Sequence, residues 1–382
     1  MLGINSNINS LVAQQNLNGS QSALSQAITR LSSGKRINSA ADDAAGLAIS
    51  TRMQTQINGL NQGVSNANDG VSMIQTASSA LSSLTSSLQR IRQLAVQAST
   101  GTLSSSDQAA LQQEVAAQIS EVNRIASQTT YNGTNILDGS AGNVTFQVGA
   151  NVGQTISLNL TQSMSAAKIG GGLVQKGQTV GTVAVSTDAN GGYTATGAAI
   201  TSVNVLSDGN GGFTFTDQNN QALSATAVSA IFSSGATTGS GTAITTLTLS
   251  STLATSMGAT AASAATAAIA QINAINAPPT VSNLNISSVS GANEAMVSID
   301  NALQTVNNLQ ASLGAAQNRF TAIATSQQAE STDLSSAQSQ ITDANFAQET
   351  ANLSKAQVLQ QAGISVLAQA NSNPQQVLKL LQ

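Results

Sequence analysis

Ser165 and Lys168 stand in the Ser-x-x-Lys spacing of acyl-serine enzymes, in which a neighbouring base activates the serine hydroxyl. The companion Ser-Asp-Asn and Lys-Thr-Gly elements are absent, so the spacing reads as coincidence. Asp188-x-Asn190 and Asp208-x-Asn210 resemble the start of calcium loops, but no bidentate Glu follows and both read as hairpin turns. The chain has no His and no Cys, which removes the imidazole base, the thiolate nucleophile, the disulfide and the usual zinc ligands together. The expectation is a protein that is not an enzyme, with no catalytic residue, metal or cofactor.

The elements that would have to position chemistry are short of charge as well. Only 7% of the 382 residues are charged, against about 25% in an average domain. No basic residue lies between Lys176 and Arg319, so the electrostatic footprint of a nucleic-acid binder is missing and nucleic acid is not expected as a partner. No apolar run approaches the ~20 residues of a membrane span, and the N-terminal stretch lacks the charged and apolar regions of a cleaved signal peptide. These features predict no membrane insertion, and either a cytosolic location or exit from the cell without a cleaved leader.

Periodicity supplies the architecture. Met53, Leu60, Ala67, Ile74, Leu81, Leu88 and Ala95 recur every seven residues, with Ile57, Val64 and Val71 as companions four positions after the first three. A long helix with a coiled-coil seam follows. Ser39 is the candidate cap, with Asp42 and Asp43 adding negative charge to the first turn. A second ladder runs through Ile299, Val306, Leu313, Phe320, Leu334 and Ile341, with Gln327 its one polar member and Ala302, Leu309, Ala316 and Ile323 among its companions. A shorter amphipathic pattern, Leu111, Val115, Ile119, Val122 and Ile125, begins after the cap candidates Ser104 to Asp107. Together they predict a three-helix antiparallel bundle.

Between the ladders the chain turns to Gly, Thr, Ser and Val, with alternating strand patterns at residues 144–148 and 156–160. An internal repeat starts at Val185 and again at Val205, each copy reading strand, Asn-Gly-Gly turn, strand. An Ala-rich helix is expected over Ala261–Ala277, ended by Pro278-Pro279. The fold class expected is mainly α, a long antiparallel helical bundle built from the N- and C-terminal segments with a small β-rich inserted middle domain. Outside the bundle, residues 4–31 and 346–381 are amphipathic helices with too few charges to be stable alone in water.

The strings that carry this layout are specific. INSNINSLVAQQNLN near the start, RLSSGKRINSAADDAAGLAIS from Arg30 to Ser50, LQRIRQLAVQA from Leu88 to Ala98, SLGAAQNRF from Ser312 to Phe320 and LSKAQVLQQAGISVLAQAN from Leu353 to Asn371 closely resemble bacterial flagellin. The resemblance covers residues 1 to about 170 and 290 to 382. It implies residues 1–42 and 343–382 as terminal helices of an inner filament core, 43–175 and 286–342 as a helical shell with short β-hairpins, and 176–285 as a variable surface domain. It also implies a self-assembling subunit of an extracellular bacterial flagellum, exported unfolded by the flagellar type III route and added at the filament tip. A hook-filament junction protein with similar ends is the rival within that neighbourhood. An insertion carrying a His-Glu-x-x-His metallopeptidase would need histidine, which the chain lacks.

Partners follow from the same resemblance: further copies of the chain, the filament cap and hook-filament junction proteins, an export chaperone, and innate-immune sensors of the monomer. Gln89, Arg90, Leu94 and Glu114 match positions read by a Toll-like receptor, and are equally subunit contacts in a filament. Gln93 stands where many family members have Glu. Helical geometry sets Arg90 and Leu94 one turn apart on an outer face, off the Leu88 seam. Val377, Leu378, Leu380 and Leu381 resemble the Leu-rich tail read by a cytosolic inflammasome sensor, and are otherwise packing residues.

Overall fold

The computed structural model describes residues 7–172, 174, 176–233 and 246–380, with side chains described as far as Ser372 at the C-terminal end. Three helices come first: α1 (Ile8–Ser33), α2 (Ala44–Ala98) and α3 (Ser105–Gln128). Two small hairpins follow, β1 (Thr130–Tyr131) with β2 (Thr134–Asn135), and β3 (Gly142–Gln147) with β4 (Thr155–Leu160). A three-stranded antiparallel sheet is built from β5 (Thr179–Thr187), β6 (Ile200–Ser207) and β7 (Phe213–Asp217), in that order. Beyond it lie α4 (Ala225–Ile231), the paired strands β8 (Phe232–Ser233) and β9 (Thr248–Leu249), α5 (Ser251–Met257) and α6 (Ala259–Asn276). The chain closes with α7 (Val289–Thr342) and α8 (Phe346–Leu380).

The chain divides into two compact units. One falls within Met1–Asn68, Gln147–Thr155 and Thr321–Gln382. Here α1 is capped by Asn7, whose side chain accepts the Ser10 N–H, and ends at Gly34 in the left-handed region with φ 71°. The start of α2 differs from the sequence expectation. Asp43, not Ser39, receives the Gly46 N–H (2.9 Å), and Asp42 instead ties a preceding turn by accepting the N–H groups of Asn38 and Ser39. In this unit α2 and α7 run antiparallel: Ser50 pairs with Gln338 and Asn61 with Ser331. Gly63 brings the two helices close, because a Cβ there would lie 2.1 Å from the Val148 carbonyl and 2.8 Å from Gln327 Oε1. Buried Gln327, the polar break in the second ladder, has no hydrogen-bond partner for that oxygen.

The other unit comprises Asp69–Phe146 and Ile156–Phe320. Ile74, Leu81, Leu88 and Ala95 are fully buried, as the seven-residue ladder requires, and so are Ile299, Val306, Leu313 and Phe320 on α7. Of the companion positions on α2, Ile57 is buried as expected and the other two are corrected. Val64 and Val71 are only half-buried, while Gly63, Gly70, Ala77, Leu84, Ile91 and Ala98, three residues after the ladder members from Leu60 onward, face inward. Gly70 makes room for Phe320, whose ring meets Phe146 edge-on at 5.3 Å between centroids. On α3 the Ser104–Asp107 capping box forms in full.

The β-rich segment has its own core: Val183, Val203 and Val205 of the sheet meet Val228, Ile231, Ile269 and Ile272 of the helices, and Phe215 stacks on Phe232 at 5.0 Å. The two repeat copies part company. The second forms the β6–β7 hairpin across Asp208–Gly212, whereas the first closes the same turn and makes a single bridge, Thr187 to Tyr193. Tyr193-Thr194-Ala195-Thr196 keeps the alternation of Phe213-Thr214-Phe215-Thr216, but Ala195 is small where Phe215 is buried in the core and Tyr193 is 41% exposed, and Gly197 turns the chain at φ 72°.

Candidate assembly and recognition surfaces

The pairing of α1 with α8 is antiparallel and polar at its edges. Asn7 Nδ2 donates to the Ala370 carbonyl at 2.8 Å, Ser10 Oγ donates to Asn371 Oδ1 at 2.8 Å, and Gly363 lies against Leu17. Small side chains are the ones buried between the helices: Ala13 and Ala27 on α1, Ala356 and Ala370 on α8. Large ones face outward. Ile8, Leu11, Val12 and Ile28 on α1, with Phe346, Val358, Leu359, Ile364 and Val366 on α8, are each about half exposed or more, Phe346 reaching 68%. Leu17, Leu24, Leu31, Leu353 and Leu367 of the terminal patterns are half-buried. Exposed large apolar side chains in this number mark a contact with other protein. Val377, Leu378 and Leu380 fall where only the helical backbone is described, and Leu381 lies outside the described residues.

The second surface is an exposed patch on α2 and α3. Arg90 Nη2 and Nε both meet Glu114 Oε1, at 2.6 and 2.7 Å, and Arg90 Nη1 approaches Gln93 Oε1 at 3.5 Å. Gln89 is exposed beside them. The outer-face position expected of Leu94 is corrected: it is 1% exposed. A heptad seam toward one partner is narrow, but here α2 faces both α3 and α7, so Ile91, Leu94, Ala95 and Ala98 all turn inward. Leu94 thus lies beneath the patch and not on it. Two residues further along, Arg92 grips Asp300 of α7 through both carboxylate oxygens, at 2.7 and 3.3 Å, and this hydrogen bonding raises the guanidinium pKa further.

The remaining sequence candidates have structural settings. Ser165 Oγ accepts from Ser163 Oγ (3.1 Å), and Ser165 meets Lys168 through backbone atoms, with the Lys168 side chain exposed. Asp188 Oδ1 accepts the N–H groups of Asn190 and Gly192, and Asp208 Oδ1 those of Asn210 and Gly212, so both carboxylates close turns. Asp217 repeats the device with Asn219 and Gln221, a third copy that its Gln-Asn-Asn sequence hides. Among the described residues no group of three or more His, Cys, Asp and Glu is placed to hold a metal ion, and no helix is long and apolar enough to cross a membrane. Sequence reading also missed Arg36, whose Nη2 donates to the Ile341 carbonyl at 2.6 Å and whose backbone N–H donates to Thr342 at the same distance.

Paired chain ends with outward apolar faces, long interrupted-ladder helices and an inserted β-rich domain define a polymer-forming helical-bundle protein. Comparison with known families gives the particular group. Residues 4–142 match the bacterial flagellin N-terminal helical region, residues 172–277 the flagellin D2 domain, and residues 296–381 the bacterial flagellin C-terminal helical region. Flagellin B of Vibrio cholerae is 35% identical over 395 residues, spanning 100% of this chain and 99% of that protein. The B-type flagellin of Pseudomonas aeruginosa is 35% identical over 489 residues, with both chains fully covered. The solved structure of FliC from Burkholderia pseudomallei is 68% identical, covers 66% of this chain and 100% of its own, and superposes with a TM-score of 0.61. The chain belongs to the bacterial flagellins. It is a structural subunit of the extracellular flagellar filament, a family of structural proteins and not of enzymes.

Proposed function

We propose that the protein leaves the cell unfolded through the flagellar type III apparatus, without a cleaved signal peptide, and polymerises at the filament tip. The layered division read from the sequence belongs to this proposal: 1–42 and 343–382 in the inner core, 43–175 and 286–342 in the shell, 176–285 outermost. The observation that carries it is the inverted burial of α1 and α8, small residues inside and Leu11, Phe346 and Ile364 outside. Helices of that kind gain their burial only from neighbours, and head-to-tail contacts that do not close build a filament. A chain without Cys has no disulfide to undo before it is threaded through a channel.

In the cytosol the same stripe needs cover, which an export chaperone supplies by seating an amphipathic helix in a groove. Outside, cap and hook-filament junction proteins meet the ends of the polymer. The monomer is an innate-immune ligand through Gln89, Arg90 and Glu114, with Leu94 holding the helix beneath them, and through Val377, Leu378, Leu380 and Leu381 for a cytosolic sensor. Charged side chains on an exposed, rigid helical face suit recognition by a receptor that meets free subunits. Seeding purified full-length monomer onto filament fragments tests the reading. Elongation seen by electron microscopy is expected, and persistent monomers in the presence of seeds contradict it.

A further inference from the structure

We infer that Asn132 is a self-modifying residue, the one Asn-Gly site of this chain whose folded geometry leaves deamidation open. The reaction needs no enzyme. The Gly133 amide nitrogen, after losing its proton to hydroxide, attacks the Asn132 side-chain carbonyl carbon; the new N–C bond displaces the side-chain nitrogen, which leaves as ammonia. Water then opens the resulting succinimide ring at either carbonyl, giving an aspartyl or an isoaspartyl residue at position 132. Glycine after the asparagine matters because no side chain blocks the attacking nitrogen.

Five Asn-Gly pairs occur, at Asn18, Asn58, Asn132, Asn190 and Asn210. Asn18 and Gly19 are exposed but lie in the interior of α1, where the Gly19 N–H is committed to the helix. Asn58 and Gly59 lie in the interior of α2, where the Gly59 N–H is committed to the helix and its Cα packs on Ala150. The Gly191 N–H donates to the Asp188 carbonyl at 3.1 Å, and Gly191 is buried against Ala227. Gly211 is buried too, and its carbonyl accepts from Asn276 Nδ2 at 3.0 Å, while Asp208 fastens the residues on either side.

Asn132-Gly133 has none of these restraints. The pair forms the two-residue loop of the β1–β2 hairpin, with φ 49° and 79°, the signature of a type I′ turn. Both residues are exposed, neither the Asn132 side chain nor the Gly133 N–H meets a hydrogen-bond partner among the described residues, and the Gly133 Cα faces open space. Turning the single peptide plane between them costs no tertiary contact. The nearby Asp138-Gly139 pair is protected from the analogous isomerisation, since Ser140 and Asn135 hold the Asp138 carboxylate and Gly139 packs on the Thr161 carbonyl. The product matters in a chain this poor in charge. An aspartyl residue adds a negative charge, and an isoaspartyl residue lengthens the backbone inside a loop that fixes the Thr130–Asn135 register.

Ageing the folded full-length protein in mildly alkaline buffer, with peptide mass spectrometry at intervals and isoaspartyl methyltransferase labelling, tests the inference. Asn132 should convert at least roughly tenfold faster than Asn58, whose reaction waits on local unfolding. In denaturant the five sites should react at comparable rates. An Asn132→Gly variant, which the positive φ accepts, should lose an early acidic species on isoelectric focusing. Equal rates at Asn132 and Asn58 in the folded protein, or an undiminished early acidic species in that variant, would overturn it.

Discussion

Arg36 Nη2 donates to the carbonyl oxygen of Ile341 at 2.6 Å, in the last turn of α7. The same residue's backbone N–H reaches Thr342, and the Ala344 N–H returns a bond to Gly34. The link from α1 to α2 is thereby fastened to the link from α7 to α8, with a cation at the negative end of a helix dipole. Arg36→Ala should destabilise this unit by about 1 kcal/mol. Denaturant unfolding checks the size, and protease susceptibility near Gly34 should rise in parallel.

Gly70 and Gly63 set how closely α2 approaches its neighbours. A Cβ at Gly70 would sit 2.7 Å from the Phe320 ring, so Gly70→Ala should cost about 1–3 kcal/mol through overpacking. At Gly63 the obstacle is the Val148 backbone carbonyl, which cannot rotate away, and the loss should be larger. Gly314→Ala, in open space on α7, should instead stabilise by about 0.5–1 kcal/mol. Thermal melts of the three variants separate a packing effect from helix propensity.

Arg90 and Glu114 form an ion pair with side chains 48% and 38% exposed. Solvent screening limits its worth to about 0–1 kcal/mol, so Arg90→Ala should leave the melting temperature nearly unchanged. Receptor signalling by the monomer and filament elongation should both fall. Unchanged values in both assays remove Arg90 from the proposed contacts.

Asp42 gives a pH dependence with a defined sign. Hydrogen bonds from the Asn38 and Ser39 backbone, then from the Ser39 hydroxyl, hold its carboxyl below the ordinary aspartate range. A depressed folded-state pKa contributes stability that is present above the unfolded value, near about 4, and is lost as pH falls through the folded value. Asp42→Asn should therefore lower stability at neutral pH and converge with the unmodified chain in strong acid. Parallel denaturation curves across that range are the check.

The helices were legible because a seven-residue apolar repeat and a capping box are local signals. Leu88 and Val306 needed no knowledge of their partners. The glycines were not legible, since Gly63 and Gly70 read as helix breakers until the carbonyl and ring opposite them are seen. Leu94 misled because heptad reasoning assumes one partner helix, and α2 has two neighbours. Arg36 was hidden for a related reason: its acceptor lies some three hundred residues away, and nothing local marks a cation as a helix cap for another segment. In the middle domain, turn chemistry was identical in both repeat copies, but strand formation was decided by Phe213 and Phe215, which the first copy lacks. The assembly surface itself was legible as two amphipathic helices, though not which side they would turn to each other.

Hydrogen exchange on the full-length chain, monomer against filament, tests the central claim most directly. In the filament the backbone amides around Leu11, Val12, Leu359 and Ile364 should be strongly protected, and in the monomer they should exchange rapidly, because their large apolar faces have no cover there. Equal protection of α1 and α8 in both states would mean that the paired helices are complete without neighbours, and would contradict the account.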